Sequence, residues 1–282
     1  MIDPRHAGSR QQTVIVPQSG LRLFVPIGEM WEFRDLFVSF MRRDLTLRYR
    51  QTALGVIWVV MQPLLAAGIF AFVFGRIAKL DSGGVPYVLF AYTGMVGWTV
   101  FSSTLTKAAG SLVGNSGLLS KVYFPRVLLP LAVLGSTLID LVVSLLVLVI
   151  LMSFFGVAPS LALLTFPVFL VLLVVASTGA GLFCAAVMAR YRDVQYVLPV
   201  VIQLLLYITP VAYALGAAPA SARAILSLNP LTGLLEGIRW SLIGTDPPPF
   251  GALLWATVAA FAMLTIGSVV FSTMERELAD VI

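Results

Sequence analysis

Histidine, cysteine and charge are all scarce in this chain. Its 282 residues include one His and one Cys, and only 11% are Asp, Glu, Lys or Arg, against about a quarter in an ordinary soluble domain. Each shortage removes a class of function. The lone His6 sits in a polar N-terminal stretch, so no Ser-His-Asp set and no histidine metal site can be assembled. The single Cys184 excludes an internal disulfide and says nothing about compartment. Lys79, Lys107 and Lys121 follow Ala78, Thr106 and Ser120 rather than glycine. A G-x-x-x-x-G-K-[ST] phosphate loop is therefore missing, and the chain is not expected to bind or hydrolyse ATP by itself. No carboxylate pair for acid-base work is apparent, which argues against a membrane-embedded hydrolase or transferase. The first thirty residues also lack the apolar core of a cleavable signal peptide.

What is present is apolar: 59% hydrophobic residues and a mean hydropathy of +0.99. This is the composition of an all-α integral membrane protein, since a bilayer core takes about 20 apolar residues per helix. Charge-free stretches run over Gln51–Gly75, Val85–Thr106, Val127–Ala189 (broken only by Asp140), Val194–Ala222 and Pro247–Met274. The third is long enough for two spans divided at Phe155-Gly156-Val157-Ala158-Pro159. Six transmembrane helices are thus expected, over Leu54–Phe74, Tyr87–Thr106, Leu128–Phe154, Leu161–Met188, Tyr196–Tyr213 and Phe250–Phe271. With both termini cytoplasmic, fourteen of the eighteen Lys and Arg residues fall inside, leaving Arg76, Lys79, Arg223 and Arg239 outside. The net charge of +5 is accordingly a topology signal, and no nucleic-acid partner is expected.

Residues 1–29 read as a cytoplasmic tail, residues 30–50 as an interface helix and residues 51–282 as the six-helix domain. In the helix, Phe33, Leu36, Phe37, Phe40 and Met41 share one face, and Glu32, Asp35, Ser39, Arg42 and Arg43 share the other. This pattern suits a helix lying in the membrane interface, because the chain holds no cytosolic domain to cover the apolar side. Asp44 and Arg48 would fall on that apolar side, so a break is expected near them. Residues 107–126 form a cytoplasmic segment between the second and third spans, and within 110–126 Leu118–Phe124 looks like a short helix halted by Pro125. Residues 218–243 read as two short apolar helices joined at Asn229-Pro230, with Asn capping and Pro in the first turn. Neither is long enough to span, which predicts a re-entrant or interfacial hairpin on the outer side in which Glu236 and Arg239 pair.

Two helices carry stripes that lipid does not explain. Trp58, Gln62, Leu65, Ile69, Phe72 and Arg76 align in the first span, and Tyr196, Pro199, Gln203, Tyr207 and Pro210 in the fifth. Lipid offers an amide no partner. Helix-helix hydrogen bonding would account for either Gln alone, whereas rings and amides together suit a pathway wall for carbohydrate. In the fourth span, Ser177, Gly181 and Ala185 form a close-packing face beside Cys184. Asp140 has two open readings, a lumen-facing carboxylate or a partner of Thr137, Ser144 or a neighbouring helix.

Arg43-Asp44, Arg48-Tyr49-Arg50-Gln51-Thr52-Ala53-Leu54-Gly55, Trp58 and Gln62-Pro63 resemble the opening of polysaccharide-exporting ABC-2 permeases, the Wzm-like O-antigen and TarG-like teichoic acid exporters. Pro86-Tyr87, Lys121–Arg126, Tyr191-Arg192-Asp193 and Asn229-Pro230-Leu231 continue the resemblance in order. It implies a half-transporter in the bacterial inner membrane that homodimerises and docks two copies of a separate ATPase subunit, which binds ATP and Mg. On this resemblance, Trp58, Gln62, Ile69, Phe72, Tyr196, Gln203 and Tyr207 would line the channel. Leu118, Lys121, Tyr123, Phe124, Arg126 and Arg192 would face the ATPase, and Asn229, Pro230, Glu236 and Arg239 would belong to an external gate. The cargo implied is an undecaprenyl-linked polysaccharide, O-antigen first, with teichoic acid, capsule or a drug or small lipid as alternatives.

Overall fold

In the computed structural model, residues 31–50, 55–119, 121, 122 and 124–280 are described. Every regular element among them is helical. Helix α1 (Arg34–Arg50) is followed by α2 (Gly55–Phe70), which runs on as a π-helical segment, Ala71–Ile77. Next come α3 (Tyr87–Gly114), the single turn α4 (Ser116–Leu119), α5 (Leu128–Phe155) and α6 (Phe166–Arg190). Helix α7 (Val194–Ile208), the short pair α8 (Ala220–Leu228) and α9 (Pro230–Ile243), and α10 (Phe250–Asp280) complete the order.

Among the described residues, five helical segments are long and apolar enough to cross a membrane: Ile57–Ile77, Tyr87–Gly114, Leu128–Phe155, Leu161–Arg190 and Phe250–Glu275. The stretch expected as a span over Tyr196–Tyr213 gives only the 15 residues of α7. At 1.5 Å per residue that is about 22 Å, short of a hydrocarbon core of about 30 Å. The helix stops at Thr209, which adopts an extended conformation (φ −94, ψ 135). The cause is Pro210, whose ring disfavours the helical conformation in the residue before it.

Helix α3 is the axis of the molecule, with 78% of its most apolar window buried against 17% in the α2 segment. It packs on α2, α5, α6 and α9, and Tyr92 crosses to α5 by donating its hydroxyl to the carbonyl of Ser144 (3.1 Å). Helices α6 and α10 meet at backbone contact: a Cβ on Gly267 would strike the Gly179 carbonyl, and one on Gly179 would strike Met263 and Leu264. The face carrying Ser177, Gly181 and Ala185 is buried, and Gly181 lies against Ala108 of α3. Small residues are what allow such approach. Cys184 beside them is half-buried.

One expectation for α1 changes. The helix continues to Arg50 without a break at Asp44, whose carboxylate is satisfied by Arg43 at 3.3 Å. Its apolar face packs on α5, where Phe40 is 5% exposed, Met41 fills the space above Gly135, and Phe40 lies 5.3 Å from Phe124. The first turns of α5 thus cover part of that face, with Phe33, Leu36 and Phe37 half-buried.

The hairpin α8–α9 forms at the expected joint. Asn229 Oδ1 accepts from the Leu231 N–H (3.0 Å) with Pro230 in the first turn of α9. Helix α9 is no surface element: Leu231, Leu234, Leu235, Ile238 and Leu242 are each 5% exposed or less, packed among α3, α6 and α10. Gly237 admits the Phe169 ring, and Gly244 (φ 70) ends the helix in the left-handed region.

Candidate translocation face, clamp and coupling end

The two stripes are open to the outside of the single chain. Trp58, Leu65, Ile69 and Phe72 are 53–61% exposed on α2, and Tyr196 and Tyr207 are 73% and 62% exposed on α7. Gln62, Arg76, Pro199 and Gln203 are exposed beside them, whereas Pro210 is buried. Exposure alone would suit lipid; along α5 the exposed residues are the aliphatic Leu138, Ile139, Val142, Leu146, Val149 and Ile150, then Ser153 and Phe154 near its end. Helix α2 with its π-helical continuation and α7 expose amides and rings together, and an amide without a hydrogen-bond partner is costly in hydrocarbon.

Where α7 breaks off, three side chains hold the segment that follows. Asn229 donates its amide to Thr209 Oγ1 (2.8 Å), and Tyr87 donates its hydroxyl to the Ala212 carbonyl (2.8 Å). Between them, Arg239 of α9 donates to the carbonyls of Pro210 (2.8 Å) and Val211. Its guanidinium also lies 4.0 Å from the Phe90 ring centroid. Arg239 is 1% exposed, and a Cβ on Gly94 would collide with both it and the Val211 carbonyl. Burial lowers the Arg239 pKa to about 10, with Glu236 opposing the shift, so the side chain stays protonated near neutrality. The expected close ion pair with Glu236 is replaced by this clamp. A helix broken by proline leaves carbonyls without intrahelical partners, and a five-donor guanidinium within reach satisfies them. Burial pushes the Glu236 carboxyl up, opposed by Arg239 and by a backbone hydrogen bond from Leu215.

At the opposite end of α3 stands the expected coupling region. Leu118 is half-buried in the one-turn α4, and Lys121 and Arg192 are exposed; Tyr123 lies outside the described residues. Phe124 is 4% exposed against Phe40. The Arg126 backbone N–H donates to Glu275 Oε1 (3.2 Å), tying the region to α10. Ser144 Oγ donates to the Asp140 backbone carbonyl (2.9 Å); the Asp140 carboxylate lies 3.3 Å from Lys107 Nζ, and Lys107 also donates to Ser136 Oγ (3.0 Å). This is the neighbouring-helix reading. Lys107 was expected in a loop, but α3 extends beyond Thr106 and carries it into the bundle.

Sequence reasoning missed Tyr87, Phe90 and Gly94 as clamp residues. The one readable signal was Thr209-Pro210, a helix stop inside an apparent span.

Comparison with known proteins places this geometry. The family model described as ABC-2 type transporter matches residues 35–243. The chain is 26% identical to the O-antigen export system permease protein RfbA of Myxococcus xanthus over 256 residues, 90% of this chain and 98% of that protein. It is 26% identical to the RfbA permease of Klebsiella pneumoniae (88% and 95% covered) and 25% identical to the polysialic acid transport protein KpsM of Escherichia coli (83% and 91% covered). The match over most of its length, on a multi-pass helical frame, shows that the chain belongs to the ABC-2 type transporter family, as a non-catalytic membrane permease subunit.

Proposed function

We propose that this chain is the membrane subunit of an exporter that moves an undecaprenyl-linked polysaccharide, O-antigen in class, across the bacterial plasma membrane. The observation that carries this reading is the pair of exposed ring-and-amide stripes on α2 and α7, in a chain similar over most of its length to O-antigen permeases. Two copies would set these stripes around one pathway, with Trp58, Gln62, Ile69, Phe72, Tyr196, Gln203 and Tyr207 on its wall. Aromatic faces stack on sugar rings and amides bond hydroxyls, so such a wall tolerates a long, repetitive polymer. In this reading both termini are cytoplasmic, and α7 with the clamped segment after it completes a sixth crossing.

The partner ATPase, two copies per dimer, binds ATP and Mg and engages the α4 end through Leu118, Lys121, Tyr123 and Arg192. Phe124 and Arg126 hold that end against α1 and α10, and the hairpin around Asn229, Pro230, Glu236 and Arg239 lies at the external gate. A capsule-type polymer is the second reading, favoured by the similarity to the polysialic acid transporter.

The test is depletion of the chain followed by leaflet-specific labelling of lipid-linked polymer. Accumulation on the cytoplasmic leaflet is expected, and the double substitution W58A/Y207A should reproduce it with the protein still folded. Loss of the polymer itself, or unaltered export in W58A/Y207A, would sink the reading.

A further inference from the structure

A cleft of about 380 Å³, more apolar than polar in its lining, opens between α1, α3 and α5, with Arg43, Asp44, Lys107, Gly110, Asn115 and Ser136 on its walls. Its depth follows from two independent helix lengths. Helix α3 starts at Tyr87 and α5 ends at Phe155 on the same side of the bundle; Lys107 and Ser136 lie about 20 residues from those ends. At 1.5 Å per residue, both sit about 30 Å across, where hydrocarbon gives way to headgroups. The Lys107–Ser136 hydrogen bond places the two residues together at that level.

The charges of the cleft balance. Arg43 and Lys107 are offset by Asp44 on the wall and by Asp140 behind it, each carboxylate 3.3 Å from its cation. A net anion gains little from such a site, whereas a ligand with its own adjacent plus and minus meets a partner for each. Arg43 gives one hydrogen bond, from Nη2 to Asp44 Oδ1, and its side chain remains 38% exposed, leaving guanidinium donors for a phosphate. Asp44, 28% exposed, can accept from an ammonium. Beyond Ser136, the exposed residues Ile139, Val142 and Leu146 follow at helical spacing along α5 and offer an apolar surface to acyl chains.

We propose that this cleft binds the headgroup of a zwitterionic membrane phospholipid, a phosphoethanolamine, with its phosphate on Arg43 and its ammonium on Asp44. The lipid wedges α1 against α3 and α5 at the membrane face that carries the N-terminal helix. This site stands apart from whichever polymer the permease carries.

The experiment is native mass spectrometry of the full-length permease in detergent, titrated with phosphatidylethanolamine, phosphatidylglycerol or free phosphoethanolamine. Wild type should retain phosphatidylethanolamine preferentially. Arg43→Gln removes the phosphate donor, and Gly110→Leu fills the cleft without touching a charge, because a Cβ there meets nothing within 4 Å. Each should weaken retention about tenfold, the effect of one charge-assisted contact, while the exposed Arg34→Gln should not. Retention unchanged in both R43Q and G110L, an equal loss in R34Q, tighter holding of phosphatidylglycerol, or equally tight binding of free phosphoethanolamine would each overturn the proposal.

Discussion

Replacing Arg239 by methionine tests whether the clamp fixes the segment after α7. The substitution keeps an unbranched side chain of similar length but removes both guanidinium hydrogen bonds and the contact with Phe90. Two carbonyls are then left buried without a donor, at about 1–3 kcal/mol each. Removing a buried cation recovers part of that through relieved desolvation, so the net local loss is about 2–4 kcal/mol. If the loss appears as local opening, amide exchange at Thr209 and Val211 should accelerate roughly 30- to 700-fold. Amides in the α6–α10 contact should keep their wild-type rates. Lysine at 239 restores the charge and a single donor direction, so R239K should fall between the two. Hydrogen exchange of the purified permease, resolved to peptides covering residues 205–214, reads this directly. Exchange at Thr209 and Val211 within about threefold of wild type, or an acceleration spread evenly over α6 and α10, would refute the clamp as a local device.

Other interactions make separate predictions. Lys107→Met leaves the Asp140 carboxylate buried without its cation and should cost about 3–5 kcal/mol, most of it regained in K107M/D140N; thermal melting of the single and double variants measures the coupling. Gly179→Val places side-chain atoms in the backbone of α10 and should lower stability by at least about 1–3 kcal/mol, read as a lower melting temperature. Burial raises the Glu236 pKa, so its cost is absent when the carboxyl is protonated at low pH and present once pH rises past its folded pKa. Glu236→Gln should therefore raise the melting temperature at pH 7.5 relative to wild type, with the gain fading toward pH 4.

The frame was legible where one physical signal acted alone. Long uncharged runs gave five spanning helices but not the sixth, where Pro210 ends the helix, and Asn229-Pro230 gave the hairpin joint through capping and a fixed proline φ. Ser177, Gly181 and Ala185 gave a packing face through size alone. What escaped depends on residues distant in sequence meeting in space. Arg239 looked like half of an i, i+3 pair with Glu236, and nothing local shows that proline-freed carbonyls come within its reach. Lys107 was assigned to a loop because a charge ended the apolar run, whereas Asp140 allows it inside the bundle. The α1 pattern was read correctly as amphipathic, yet pattern alone cannot distinguish lipid from the first turns of α5 as the apolar cover.

The stripe-bearing helices are also sparsely buried in the single chain. Leu198 is the sole buried residue on α7, and only 17% of the α2 window is buried, against 78% for α3. An element with few buried contacts opens at low free energy, so α7 is held chiefly at its ends. One end is the exposed Tyr191-Arg192-Asp193 turn and the other the Arg239 clamp. A push on the turn would therefore tilt α7 about the clamp and leave α3, α6 and α10 in place, moving Tyr207 little and Tyr196 most. Spin labels at Tyr196 and Tyr207, referenced to one on α10, should show the larger nucleotide-dependent displacement at 196 in the complex with the ATPase. Equal displacements would mean that α7 translates as a whole and that the clamp is not its pivot.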